Sequence, residues 1–303
     1  MSEGVPAIPV ARSAEPNGAG EHPRSRAGRK PQWGSILVHA ILLGGGLLML
    51  LPFLWTVSTS LKLPGAALDW PPNLIPDHIT FENYRRIWEV APFALYTRNS
   101  VIISALRVLG SIMSATMVGF AFARLRFPGR EPLFLICLST MMLPFFVTMI
   151  PAYALFRILG WIDTFLPLTV GAWLGPSFYV FLSRQFMRTL PMDYDEAARI
   201  DGAGNWRIWW SVILPNSKSV IATIGIFAFR ASWDDFLGPL IFLNSQRNFT
   251  LALGLRSFQG YYSTSWTLLM AGSVLMILPV LVAFFALQRY FLQGMVFSGL
   301  AGR

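Results

Sequence analysis

Charge is scarce in this chain of 303 residues: 13% are Asp, Glu, Lys or Arg, against 54% hydrophobic. With a mean hydropathy of +0.52, that composition excludes a soluble globular enzyme, in which about 25% of residues are charged. Cysteine is nearly absent too. The single Cys137 excludes a disulfide framework and a thiolate metal site, and its apolar neighbours mark it as a small buried packing residue. No Walker A pattern, zinc-ligand spacing or Ser-His-Asp arrangement occurs, and His22, His39 and His78 stand isolated. The expectation is a chain with no catalytic residue, metal or cofactor of its own.

Long uncharged runs take the place of these features. Residues 31–61, 132–156, 164–183 and 257–288 contain no Asp, Glu, Lys or Arg, and each run reaches the ~20 apolar residues that carry a helix across a bilayer core. Two more apolar stretches are interrupted, 99–122 by Arg107 and 219–242 by Arg230, Asp234 and Asp235. Barrel strands alternate apolar and polar over ~10 residues, which these windows do not, so a β-barrel is excluded. The expected fold class is an all-α integral membrane protein. Six transmembrane helices lie near 35–58, 99–122, 132–156, 164–186, 218–242 and 266–288, within a membrane domain spanning 34–303.

The net charge of +9 raises the question of nucleic-acid binding, and the placement of the charges answers it. Fifteen of the 24 Lys and Arg fall in 1–33, 123–131, 184–218 and 288–303, seven fall in the alternate loops, and Arg107 and Arg230 lie within helices. By the positive-inside rule the richer side is cytoplasmic, so both termini are cytoplasmic and the basic excess reflects topology rather than nucleic acid. Residues 1–33, with five prolines and a cluster at Arg24, Arg26, Arg29 and Lys30, are expected to be a disordered cytoplasmic tail. The apolar run that follows is too long for a signal h-region, so the first helix is retained. On the outer side, Thr80 to Trp88 reads as an amphipathic helix with Phe81, Tyr84, Ile87 and Trp88 on one face, placed to rest in the headgroup layer.

The loop 187–217 carries the most specific pattern. Asp193 stands three residues before Glu196, a capping-box spacing, and Asp195 and Glu196 are acids in a first helical turn. Gly202 and Gly204 end the element, which is expected to be a short helix of about two turns that needs a partner's groove for stability. Glu196-Ala197-Ala198, three residues, Gly202, then nine residues to Val212, Ile213, Leu214 and Pro215 resembles the EAA loop of ATP-binding-cassette importer permeases. Val212 stands where that family usually has isoleucine, one methylene larger.

Further segments resemble the shorter, maltose-type permease of the carbohydrate importers. They are Pro52-Phe53-Leu54-Trp55 to Lys62, Phe122 to Gly129, Trp233-Asp234-Asp235-Phe236-Leu237-Gly238-Pro239-Leu240 and Gln288 to Gly294. The likeness covers about residues 35–303. Members usually end in a Gly-Leu-Lys-Gly-like tail, whereas this chain ends Gly299-Leu300-Ala301-Gly302-Arg303.

That resemblance implies a type I importer permease fold in the plasma membrane. It implies a second related permease, two nucleotide-binding ATPase subunits that hold ATP and Mg, and an external solute-binding protein. Asp193 to Gly204 becomes the coupling helix, and Asp193, Asp195, Glu196, Ala197, Ala198, Asp201, Gly202, Leu214 and Pro215 become the contact with the nucleotide-binding subunit.

Charges inside the apolar helices point to a cavity or a partner, because a charge at the bilayer centre costs at least ~2.5 kcal/mol. The resemblance places the segment from Arg230 to Asp235 in the substrate pathway, a purely structural Arg230–Asp234 pair being the alternative. Arg230 and Asp234 are four apart and can neutralise each other. Counted inward from the outer ends, Arg107 and Asp235 sit at similar depth, which predicts a contact between Arg107 and Asp235 or Asp234 across the second and fifth helices. Trp233 would offer a flat face to a sugar ring beside those carboxylates.

Gly44, Gly45 and Gly46 read as a close helix-packing site, and Pro144, Pro151, Pro167, Pro176, Pro239 and Pro279 as packing kinks. A membrane-embedded enzyme and an ion-coupled carrier using Asp234 or Asp235 are the rival classes, and the EAA loop argues against both. Within the importer reading, glycerol phosphate or another polyol is the alternative cargo to a sugar.

Overall fold

The computed structural model describes residues 33–68, 70–260 and 264–300, so the expectation of a disordered tail over 1–33 falls almost wholly outside the described residues. The resemblance at 299–303 likewise falls where no side chain is described. Among the described residues there are helices and no strand, with one isolated bridge between Gln259 and Thr264. The chain divides into two compact units, 1–50 and 51–303. The first contributes the start of α1 (Trp33–Ser60), with every described side chain exposed.

The second unit continues with α2 (Glu82–Val90), α3 (Phe93–Arg124), α4 (Arg130–Ser139), α5 (Phe145–Ile158), α6 (Leu166–Trp173) and α7 (Ser177–Thr189). Then come α8 (Asp193–Ile200), α9 (Asn205–Ile208), α10 (Leu214–Asn216), α11 (Lys218–Trp233), α12 (Leu237–Phe242), α13 (Leu251–Leu255) and α14 (Trp266–Leu300). Four segments are long and apolar enough to cross a membrane: Ile36–Ser60, Phe93–Arg124, Leu166–Thr189 and Trp266–Ala286. The count among the described residues rises to as many as six if each of two bent pairs is one span, Arg130–Met142 with Phe145–Ile158 at 97° and Asn205–Asn216 with Lys218–Trp233 at 82°.

Proline and glycine place the breaks. Pro144 holds extended backbone at the head of α5, and the residue before a proline is pushed out of the helical region, so the single helix expected over 132–156 is two. Gly175, at φ +74°, and Pro176 interrupt the fourth expected span between α6 and α7. There Ser114 donates to the carbonyl of Ala172 at 2.8 Å, satisfying an acceptor that the break leaves open. The fifth expected span, 218–242, stops at Trp233 and resumes at Leu237. Asp234 and Asp235 therefore sit at a helix break and not inside a continuous helix.

α3 is the spine of the second unit. It packs on α6, α7 and α11, and four apolar clusters follow it from end to end. Phe93 and Tyr96 join Ile87, Trp233 and Leu268, Ile103 joins Leu168 and Phe242, Ala115 joins Val180 and Ile224, and Phe120 joins Met187 and Trp209. Small residues bring the neighbours close: a side chain at Gly110 would meet the Trp173 ring at 2.7 Å, and one at Gly119 would run into Ser183.

At the triple glycine, within the first unit, nothing among the described residues lies within 4 Å of a Cβ built at Gly44, Gly45 or Gly46. The amphipathic helix expected over 80–88 starts at Glu82, and its face is divided. Ile87 is fully buried and Tyr84 meets the Ser60 hydroxyl at 2.7 Å, while Phe81 and Trp88 stay exposed.

Candidate coupling surface and membrane ion pairs

The short helix of the EAA loop forms as α8, over Asp193–Ile200. Its cap differs from the capping-box expectation. Asp193 is the first helical residue, Met192 precedes it in helical conformation, and no side chain caps the end. The helix closes at Ile200, and Gly202 at φ +78° reverses the chain, a conformation that favours glycine. Gly204 is extended and opens α9, so the element is shorter than the 193–204 expected.

Asp193, Glu196 and Ala197 are exposed, as are Asp201, Gly202 and Pro215, whereas Ala198 and Leu214 are half-buried against the cluster around Ile208 and Trp209. Asp195 departs from its expected role. It is 3% exposed, and its carboxylate lies 3.0 Å from the guanidinium of Arg124 at the C-terminal end of α3. The carboxylate is turned inward onto the arginine and away from the exposed face of α8. The same arginine donates to the Leu190 carbonyl at 2.7 Å and reaches the Met192 sulfur. Burial pushes the Asp195 carboxyl above its ordinary 3.8, with Arg124 and then Arg199 pulling it back and Glu196 adding to the rise.

Arg124 was not legible as a site residue, because in the sequence it is one of several basic residues flanking a span. Nor were Trp206 and Trp210, which stand exposed on either side of buried Trp209.

In the membrane section, Arg107 Nη1 lies 2.9 Å from Asp235 Oδ2, the contact expected from their matched depth. Both side chains are about a quarter exposed, at 25% and 24%. The other Asp235 oxygen accepts from the Gly238 N–H at 3.0 Å and so caps α12. Arg230 and Asp234 pair at 3.6 Å on a more open face.

Trp233 is a correction. It is 2% exposed, stacks on Phe229 and donates its indole N–H to the Met276 carbonyl at 2.8 Å. Its ring is spent on the packing of α11 against α14 and offers no face to a sugar. Aromatic surface near the pair comes instead from Phe178 and Tyr179, which with Arg107, Ser111, Ala228 and Ala231 line an open cavity of about 400 Å³. Cys137 is half-buried and meets the Ser177 hydroxyl at 3.5 Å.

Residues 115–296, which hold the EAA loop and the Asp235 break, match the family described as binding-protein-dependent transport system inner membrane component. The chain belongs to that family. It is a multi-pass membrane permease of an ATP-driven importer.

Among its relatives is the diacetylchitobiose uptake system permease protein NgcG of Streptomyces coelicolor, 33% identical over 83% of this chain and 84% of the relative. The arabinooligosaccharides transport system permease protein AraQ of Halalkalibacterium halodurans is 34% identical over 81% of this chain and 86% of its own length. The sn-glycerol-3-phosphate transport system permease protein UgpE of Yersinia enterocolitica is 32% identical over 87% and 96%. A solved bacterial ABC transporter that imports the acidic polysaccharide alginate contains a chain of the same fold. The TM-score is 0.77, with 24% identity over 86% of this chain and 99% of that one.

Proposed function

We propose that this permease carries a neutral saccharide across the inner membrane, with both termini in the cytosol. In this reading it pairs with a second related permease, two nucleotide-binding subunits and an external solute-binding protein. The observation that carries the reading is α8. It is a two-turn helix whose outer face, Asp193, Glu196 and Ala197, is free while its inner face is buried and fastened. ATP binding closes the nucleotide-binding pair, the docked α8 moves with it, and the permeases exchange inward-facing for outward-facing states, as linkage requires when one ligand favours one state. Sugar arrives from the binding protein, and no chemistry is performed on it.

A sugar is favoured over glycerol phosphate by charge balance, although relatives of both kinds exist. Arg107 is held by Asp235 and Arg230 by Asp234, so a phosphate would have to displace a carboxylate from each guanidinium it met. Hydroxyls can bond to the edges of both pairs and leave them intact.

The test is a detergent pull-down of the tagged chain from its native membrane, mass spectrometry of its companions, and ATPase and uptake assays of the recovered complex. Recovery of an ATPase, a second permease and a binding protein, with uptake abolished but insertion preserved in Glu196→Lys and Gly202→Asp, supports the reading. Recovery of the chain alone, with transport driven by an ion gradient, overturns it and returns the coupling role to Asp234 and Asp235.

A further inference from the structure

The two best-buried charges at the cytoplasmic end belong to neither the outer face of α8 nor the cavity, and they join the helices that lead to each. Arg124 is the last residue of α3, and its side chain is 2% exposed. It grips the segment leading into α8 through the Leu190 carbonyl and α8 itself through Asp195. About 25 Å farther along the same helix, at 1.5 Å per residue, Arg107 grips Asp235 at the break between α11 and α12.

The stretch between the two arginines is stiff. Gly110 is pressed against Trp173 and Gly119 against Ser183, and a helix locked by close packing moves as a body rather than bending. Beside it, Arg184 on α7 takes both oxygens of Glu131 at 2.8 Å and donates to the Phe122 carbonyl at 3.3 Å, so the neighbour is tied to the same end of α3.

The Arg124 contact is not a saturated structural bond. Both Asp195 carboxylate oxygens and Arg124 Nε lack an aligned hydrogen-bond partner, although the charges lie 3.0 Å apart. They border an open cleft of about 490 Å³ lined by Arg126, Glu196 and Arg199. A half-satisfied buried pair is a costly fastening, and its geometry suits a joint that transmits displacement.

We propose that Arg124 and Asp195 are positioning residues that link α8 to α3, making α3 the rod that carries movement of the docked helix to the Arg107–Asp235 pair. This rests on the reading of α8 as the docking helix. The joint transmits the displacement, and neither residue contacts nucleotide or sugar.

The test uses the assembled complex in nanodiscs with ATP and vanadate as the probe. A cysteine at the cavity wall, Ala231→Cys in a Cys137→Ser background, reports pathway opening by its labelling rate with an impermeant maleimide. With the joint broken by Asp195→Asn or Arg124→Gln, ATP hydrolysis stays near that of the parent. The nucleotide-dependent change in labelling falls about tenfold, within the usual range of coupling between sites. The exchanged pair Arg124→Asp with Asp195→Arg restores it.

A structural role alone would lower assembly, hydrolysis and labelling together, with no rescue by the exchange, and that result overturns the proposal. So does an unchanged labelling response in both single variants. If the parent complex itself neither hydrolyses ATP nor changes its labelling, the docking reading falls first and this inference with it.

Discussion

Replacing Asp235 by Asn isolates the value of the ion pair within the membrane section. An asparagine keeps an oxygen for the Gly238 N–H that Oδ1 now accepts at 3.0 Å, so the α12 cap survives while the charge facing Arg107 is lost. At 2.9 Å and an effective dielectric of 20, the gross attraction is about 6 kcal/mol. Desolvation of both ions takes back most of that, and truncating one partner of a fully buried pair costs about 3–5 kcal/mol. Here each side chain keeps about a quarter of its surface open, at 25% and 24%, which screens the charge left behind.

The expected loss is therefore about 2–3 kcal/mol for Asp235→Asn, below the range for a fully buried pair. Adding Arg107→Leu removes the orphaned cation, and the double variant should recover at least half of the loss, a coupling of about 1 kcal/mol or more. Equilibrium unfolding in mixed micelles, followed by the fluorescence of the 11 tryptophans, supplies the cycle. A single variant as stable as the parent, or a cycle with no coupling, would refute the claim that the pair holds α3 to the α11–α12 break.

Gly110→Ala puts a methyl into the Trp173 ring, 2.7 Å away, and should cost about 1–3 kcal/mol in the same assay. Gly45→Ala meets nothing within 4 Å and should leave the chain's own stability unchanged. Trp233→Leu should destabilise by about 3 kcal/mol without raising the KM for sugar, because the ring packs on Phe229 and bonds to Met276; a KM effect at full stability would restore the sugar-platform role.

Asp163 gives a pH signature. Its burial raises the carboxyl, but the Ser245 hydroxyl and the Ser245 and Asn244 amides outweigh that and hold it well below its ordinary 3.8. A depressed folded value means stability present above pH 3.8 and lost as pH falls below it. Thermal scans from pH 7 to pH 3 should show that loss in the parent and a smaller one in Asp163→Asn.

Several elements could be read from one sequence because the bilayer permits so few backbone solutions. Uncharged runs such as 132–156 had to be helical, and the spacing of Glu196, Gly202 and Pro215 marked the EAA loop without any contact being known. The Arg107–Asp235 contact was legible for a related reason, since two opposite charges at one depth in an apolar medium have few other partners. The misreadings share a cause. Trp233 as a platform and Asp195 as an outward contact both required the direction in which a side chain points, and residue type at a helical position does not supply it.

Hydropathy and the EAA spacing thus determined by themselves that this is a helical membrane permease of the importer family, because these are local properties of the chain. Tertiary structure alone decided that α3 is the spine, that Arg124 reaches Asp195 across 71 residues of sequence, and that Phe178 and Tyr179 stand by the ion pair. Helix azimuth and interhelical register depend on how every neighbour packs, and a single sequence does not encode them at any one position.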